Sequence, residues 1–130
     1  MDNYEAKYKF LYWYQDKRCA VTGVVLPPYE THECWYKNNP EGKVDLHHKI
    51  HNKLWVQRKL PLMYDSILNL AMVYHEAHDN ANKIRWTPHQ ARAIETTLST
   101  YPALAEWANN PLMYPGFTIF VEYLRLKCYL

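Results

Sequence analysis

The sequence is poor in the residues typical of cross-linked proteins. It contains only three cysteines, Cys19, Cys34 and Cys128, and no two of them form a C-x-x-C pair. The odd number and this spacing argue against a disulfide framework and against a zinc knuckle, and favour a reducing environment. No window reaches the roughly 18 apolar residues that a membrane span needs, and the first residues lack the layout of a signal peptide. We therefore expect an intracellular, cytoplasmic protein with no membrane partner.

Glycine is also scarce, with three residues, whereas rings are abundant, with 12 tyrosines and five tryptophans among 130 residues. A chain that is 48% hydrophobic has enough apolar surface to form a core, which argues against disorder. At this length we expect a single domain over residues 1–130.

A large excess of charge is the third feature that the sequence lacks, since the formal net charge is only +2. That value alone does not indicate a nucleic-acid-binding protein. The distribution is more informative, because residues 93–123 contain no lysine or arginine. Basic residues instead gather around two adjacent histidines, His47 and His48. Between positions 43 and 59 they are Lys43, Lys49, Lys53, Arg58 and Lys59, against the single acidic residue Asp45.

The hydrophobic pattern predicts a mixed α+β fold. VDLHHKI (44–50) and ILNLAMVY (67–74) are predicted to be strands of an antiparallel hairpin, followed by a helix that starts near His75. CAVTGVVLPPYE (19–30) is typical of a short strand, a turn and a loop.

Helices are expected on both sides of this hairpin. Residues 3–16 have apolar side chains at helical spacing. Thr87 and Pro88 are a good N-cap and first residue for a helix through residue 101, with Ala91, Ile94 and Leu98 on one stripe. ALAEWANN (103–110) predicts a further short helix, and the tail from Gly116 fits a helix or a strand equally.

Three segments carry a recognisable motif: LHHKI, ILNLAMV and YHEAH. They resemble the HNH endonucleases, also called ββα-metal nucleases, in letters and in spacing, since His78 follows Asn69 by nine residues. The resemblance spans about residues 19–83, with a helical extension over about 87–130. One departure is that the paired C-x-x-C knuckles of many relatives are missing, so the fold must depend on packing.

The resemblance implies a role for each motif residue. His48 would be the general base, and Asn69 would fix the loop and the orientation of that base. His47 and His78 would bind a metal, with Asn82 as a third ligand. The fold implied is a ββα-metal catalytic core, a two-stranded antiparallel hairpin plus a helix, with flanking N- and C-terminal helices.

The chemistry of phosphodiester hydrolysis explains these residue types. A neutral imidazole removes a proton from water well because its ordinary pKa, about 6.5, is near working pH. A divalent cation neutralises charge on the phosphate and on the departing 3′ oxygen. The family implies Mg²⁺, whereas imidazole ligands also suit Mn²⁺, Ni²⁺ or Zn²⁺. Lys49, Lys53, Arg58 and Lys59 are expected to contact DNA phosphates without reading sequence.

The sequence therefore predicts a metal-dependent DNA endonuclease that uses a His-activated water. Its small size is typical of a phage or mobile-element enzyme, nicking or homing-like, that acts inside the host cell. The alternative is a non-catalytic nucleic-acid- or metal-binding module of ββα shape. A structural zinc protein using Cys19 or Cys34 is a third interpretation, although no cysteine pair has knuckle spacing. The sequence leaves the oligomeric state open.

Overall fold

The computed structural model describes residues 4–28, 43–50, 54–77 and 84–130. Within these ranges it contains five α-helices and one two-stranded antiparallel sheet, which confirms the mixed α+β class. The helices are α1 (Tyr4–Tyr14), α2 (Leu54–Lys59), α3 (Pro88–Thr100), α4 (Pro102–Asn109) and α5 (Phe117–Leu126). The strands are β1 (Val44–His48) and β2 (Leu70–Tyr74). No described helix combines the length and the apolar character that crossing a membrane would require.

The two strands pair in a single register, with Val44 opposite Tyr74 and His48 opposite Leu70. Both predicted strands are therefore present, but each is shorter than expected. The segment Ile67–Asn69, predicted as the start of the second strand, is a 3₁₀-helix instead. Ser66 caps it, because the Ser66 hydroxyl accepts a hydrogen bond from the Leu68 N–H at 3.2 Å.

The outer edge of β2 is covered by α1 and by the segment that follows it. The side-chain amide of Gln15 accepts a hydrogen bond from the Met72 N–H at 2.8 Å and donates one to the Met72 carbonyl at 3.0 Å. The Ala20 N–H donates to the same carbonyl at 3.0 Å. The short strand predicted within residues 19–30 is wrong, since the described part of this segment forms only an isolated bridge, between Arg18 and Val25.

Aromatic side chains join α1 to the C-terminal helices, which explains the abundance of rings. Phe10 is fully buried and meets the Trp107 ring of α4 edge-on, with 5.2 Å between centroids. Trp13 lies edge-on to Phe117 of α5 at 5.5 Å. Each such pair adds about 0.5–1.5 kcal/mol beyond the burial of apolar area.

The C-terminal helices begin where local chemistry predicts. Thr87 and Gln90 form a reciprocal capping box at the start of α3, and Ala91, Ile94 and Leu98 are buried as expected. Tyr101 is the single residue between α3 and α4, and α4 begins at Pro102. The ambiguous tail is a helix, with Val121 and Leu124 buried on its inner side. The helix α2 was not predicted, and only Val56 of its residues is buried.

Candidate active site on the hairpin

The last residue of β1 presents its imidazole to the turn that precedes β2. The Nε2 atom of His48 lies 3.2 Å from Oδ1 of Asp65, and the side chain of His48 remains 20% exposed. The Tyr64 ring stacks on the imidazole, with centroids 4.9 Å apart and planes 26° apart. One face and one edge of the His48 ring are therefore in contact with protein.

The carboxylate of Asp65 is stabilised in its ionised form. Its pKa is lowered chiefly by the hydrogen bond with His48, against the opposing effect of partial burial. The charge of Lys7 and a long hydrogen bond from the Tyr4 hydroxyl, at 3.5 Å, act in the same direction as His48. An ionised carboxylate only accepts, so the Nε2–H of His48 donates, and a neutral ring then has its lone pair on Nδ1.

Asn69 connects the end of β1 to the turn that carries Tyr64. Its side chain is completely buried. Its Oδ1 accepts a hydrogen bond from the Ile50 N–H at 3.0 Å, and its Nδ2 donates to the Tyr64 carbonyl at 2.9 Å. Its backbone carbonyl also accepts from the Lys49 N–H at 2.7 Å. Asn69 thus fixes the backbone on both sides of the His48 ring.

Two C-terminal helices hold the same turn from the other side. The Glu95 carboxylate of α3 accepts hydrogen bonds from the N–H groups of Leu62, at 3.1 Å, and Met63, at 2.9 Å. The Nδ2 of Asn109 in α4 donates to the Leu62 carbonyl at 2.8 Å. The position of Asp65 therefore depends on elements outside the hairpin.

Sequence reasoning missed Asp65, Tyr64 and Glu95. Asp65 lies 17 residues from His48, in a segment without periodicity, and Glu95 lies more than 30 residues from the turn that it holds. No short-range signal in the sequence connects either carboxylate to the histidine. Only the approach of distant segments in the fold reveals them.

His47 points to the opposite side of the hairpin, because successive strand residues alternate. It is buried, with 6% of its surface exposed. Asp45 shares this side and lies 2.7 Å from Nδ1 of His75. Imidazole and carboxylate groups suit a divalent transition metal. The other predicted ligands, His78 and Asn82, are outside the described residues, and the described residues alone contain no group of three or more metal-binding side chains.

The predicted DNA-binding residues have two different environments. Arg58 and Lys59 are exposed at the end of α2. Lys49 is half-buried, with its Nζ 5.0 Å from the centre of the Trp86 ring, and desolvation lowers its pKa to about 8. Lys53 is outside the described residues.

The structure thus brings together His48 and Asn69 of the predicted catalytic set, and adds Tyr64 and Asp65. It places His47 on the other side of the same strand. Comparisons of this chain with protein-family models, with curated proteins and with solved structures find no match.

Proposed function

We propose that this protein is a metal-dependent DNA endonuclease with a ββα-metal centre, in which His48 activates the attacking water. The observation that supports this most is the register of the hairpin. His47 lies opposite Ala71, and His48 lies opposite Leu70, the residue that directly follows the buried Asn69. The Asn69 side chain orients the backbone beside His48.

The proposed reaction begins with a proton transfer. The Nδ1 atom of His48 accepts a proton from water, and the resulting hydroxide attacks the phosphorus of the DNA backbone. The bond between phosphorus and the 3′ oxygen breaks, and this oxygen leaves with a proton from solvent. General-base catalysis of this kind contributes about 10²–10⁴-fold to a rate.

A divalent cation would supply charge neutralisation at the phosphate. We propose that His47, His78 and Asn82 hold it, with Mg²⁺ as the favoured ion and Mn²⁺, Ni²⁺ or Zn²⁺ as alternatives. In this proposal His47 would supply an imidazole nitrogen to the metal, and His48 would take the proton from water.

DNA phosphates are proposed to contact the basic residues near the hairpin. Arg58 and Lys59 are exposed and adjacent on α2, which suits contacts to a backbone without base readout. We propose the same role for Lys49 and Lys53. Such contacts predict binding that weakens steeply as salt rises.

The test is cleavage of supercoiled plasmid in Mg²⁺, Mn²⁺ or Zn²⁺, with EDTA as the metal-free reaction. We expect His48→Ala to lower the cleavage rate about 10²–10⁴-fold, the contribution of a general base. The matched control is His89→Ala, which removes an exposed imidazole from the first turn of α3 and should cleave like the wild type.

One result would favour a binding module instead. If wild type and His48→Ala both retard plasmid in a gel but leave it uncut in every metal, the proposed endonuclease is wrong. An equal loss of cleavage in His89→Ala would show that the effect is not particular to His48 and would contradict its role as the general base.

A further inference from the structure

We infer that Asp65 is a positioning residue for His48, which it holds in the tautomer whose Nδ1 lone pair is available to water. This inference rests on the proposed function. It extends that function to a carboxylate that lies in the turn between α2 and β2, outside the three motif segments.

An imidazole on a side chain can turn about two bonds, and two contacts restrict that turning here. The Tyr64 ring stacks on its face at 4.9 Å, and Asp65 accepts the hydrogen bond from its Nε2 edge at 3.2 Å. Tyr64 and Asp65 are neighbours in one turn, so a single backbone segment sets both contacts.

Asp65 is itself held in place by several parts of the fold. The turn is attached to Asn69 through the Tyr64 carbonyl and to Glu95 through the N–H groups of Leu62 and Met63. The Tyr4 hydroxyl of α1 reaches the same Oδ1 at 3.5 Å. The carboxylate is thus fixed by several separate elements, as a group that orients a general base must be.

The movement of protons in the proposed reaction is consistent with this role of Asp65. Before reaction the ring carries one proton, on Nε2, donated to Asp65. When Nδ1 takes a proton from water, the ring carries two protons and a positive charge, while the water becomes hydroxide. Asp65 remains ionised throughout and stabilises the imidazolium through the same hydrogen bond, until Nδ1 returns its proton to solvent.

The experiment measures the tautomer and the reaction separately. Nitrogen-15 NMR of the histidine side chains, in mildly alkaline buffer without metal or DNA, reports which nitrogen of His48 carries the proton. Plasmid or oligonucleotide cleavage then gives kcat and KM. The variants are Asp65→Asn and Asp65→Glu. The control is Asp16→Asn, the same chemical change at a side chain that is 94% exposed.

We expect the wild type and Asp16→Asn to carry the proton on Nε2. Asp65→Asn should shift His48 toward the Nδ1–H tautomer and lower kcat about 10²-fold, within the range of general-base effects, with KM little changed. Asp65→Glu should restore part of the Nε2–H tautomer and part of kcat, since it restores a carboxylate. Because 43% of the Asp65 side chain is exposed, its replacement by asparagine leaves the core intact, and thermal unfolding of each variant checks this.

The possible failures are distinguishable. A wild type that cuts DNA, and whose tautomer and kcat are the same in Asp65→Asn, would overturn the role of Asp65 alone. A wild type with the Nδ1–H tautomer would overturn it as well. A protein whose Nε2–H tautomer depends on Asp65 but which cuts no DNA in any metal would overturn the proposed nuclease.

Discussion

At the scale of single residues, Asn69 is where the fold and the candidate site coincide. It is completely buried, and each end of its amide has a backbone partner, Ile50 on one side and Tyr64 on the other. A buried polar group that loses its partner costs about 1–3 kcal/mol. The residue that orients the backbone beside His48 therefore also contributes to the stability of the whole chain.

We expect Asn69→Ala to lower the free energy of unfolding by about 2–4 kcal/mol, because it leaves one buried donor and one acceptor unpaired. Urea unfolding followed by tryptophan fluorescence measures this. A change below about 0.5 kcal/mol, the size of a typical surface substitution, would contradict the assignment of Asn69 as a buried link.

Two opposing effects act on the charged form of Lys49. Desolvation lowers its pKa from an ordinary 10.5 to about 8, which disfavours the ammonium by about 3 kcal/mol. The contact with the Trp86 ring, at 5.0 Å, favours the ammonium, but by only about 0.5–2 kcal/mol. Desolvation is the larger effect, so the charged lysine destabilises the folded state.

The stability of the folded protein therefore depends on pH. Below about pH 8 the folded and unfolded states both hold the Lys49 proton, and the full cost is present. As pH rises from about 8 toward 10.5, the unfolded chain binds more protons than the folded one, and the stability of the wild type rises. We expect Lys49→Met to stabilise the protein at neutral pH, by up to about 3 kcal/mol, and to lose this advantage across that interval.

The measurement is urea unfolding of both proteins at a series of pH values. Lys127→Met is the matched control, since Lys127 also lies near a ring, that of Tyr123 at 5.8 Å, but is exposed. Its effect on stability at each pH is the baseline with which the effect of Lys49→Met is compared. If the difference between wild type and Lys49→Met stayed constant from neutral to alkaline pH, the desolvation argument would be wrong.

At the scale of secondary-structure elements, α3 supports the turn that contains Tyr64 and Asp65. The Glu95 carboxylate receives two N–H groups of this turn, and hydrogen bonds to a charged acceptor are stronger than those between neutral groups. A helix far along the chain thereby sets the position of a turn next to His48.

We expect Glu95→Ala to lower the unfolding free energy by about 2 kcal/mol and to weaken the Nε2 hydrogen bond of His48, because the turn loses its anchor. Thermal unfolding and nitrogen-15 NMR measure the two effects. Glu106→Ala, at an exposed position of α4, should change neither. Equal effects of the two substitutions would show that loss of helix charge, rather than loss of the anchor, is responsible.

The elements that the sequence predicted best are those with local signals. The start of α3 follows from the capping chemistry of Thr87 and Pro88, and the strands follow from their apolar runs. The helix α2 has six residues and one buried side chain, too few to show a helical period. The tail was ambiguous because buried helices and strands have similar apolar content, and packing of Val121 and Leu124 decides for the helix.

The candidate site divides in the same way. The motif spacing predicted His48 and Asn69, and the structure links the Asn69 side chain to the backbone of Ile50 and Tyr64 near His48. The catalytic roles of His48 and Asn69 stay predictions. The motif spacing did not predict Asp65, because Asp65 lies in an irregular segment 17 residues after His48 and no periodicity relates the two positions. The roles of His47, His78 and Asn82 in metal binding stay predictions, and the last two are outside the described residues.

At the scale of the whole molecule, Gln15 determines where the sheet stops. Its primary amide offers Met72 one acceptor and one donor, as the peptide group of a neighbouring strand would. An unpaired strand edge is a template for other chains, and the side chain that directly follows α1 occupies this one at its centre. Gln15, together with the Ala20 N–H, thus stands in for a third strand, and the hairpin that carries His48 is closed to β-addition along that edge at Met72.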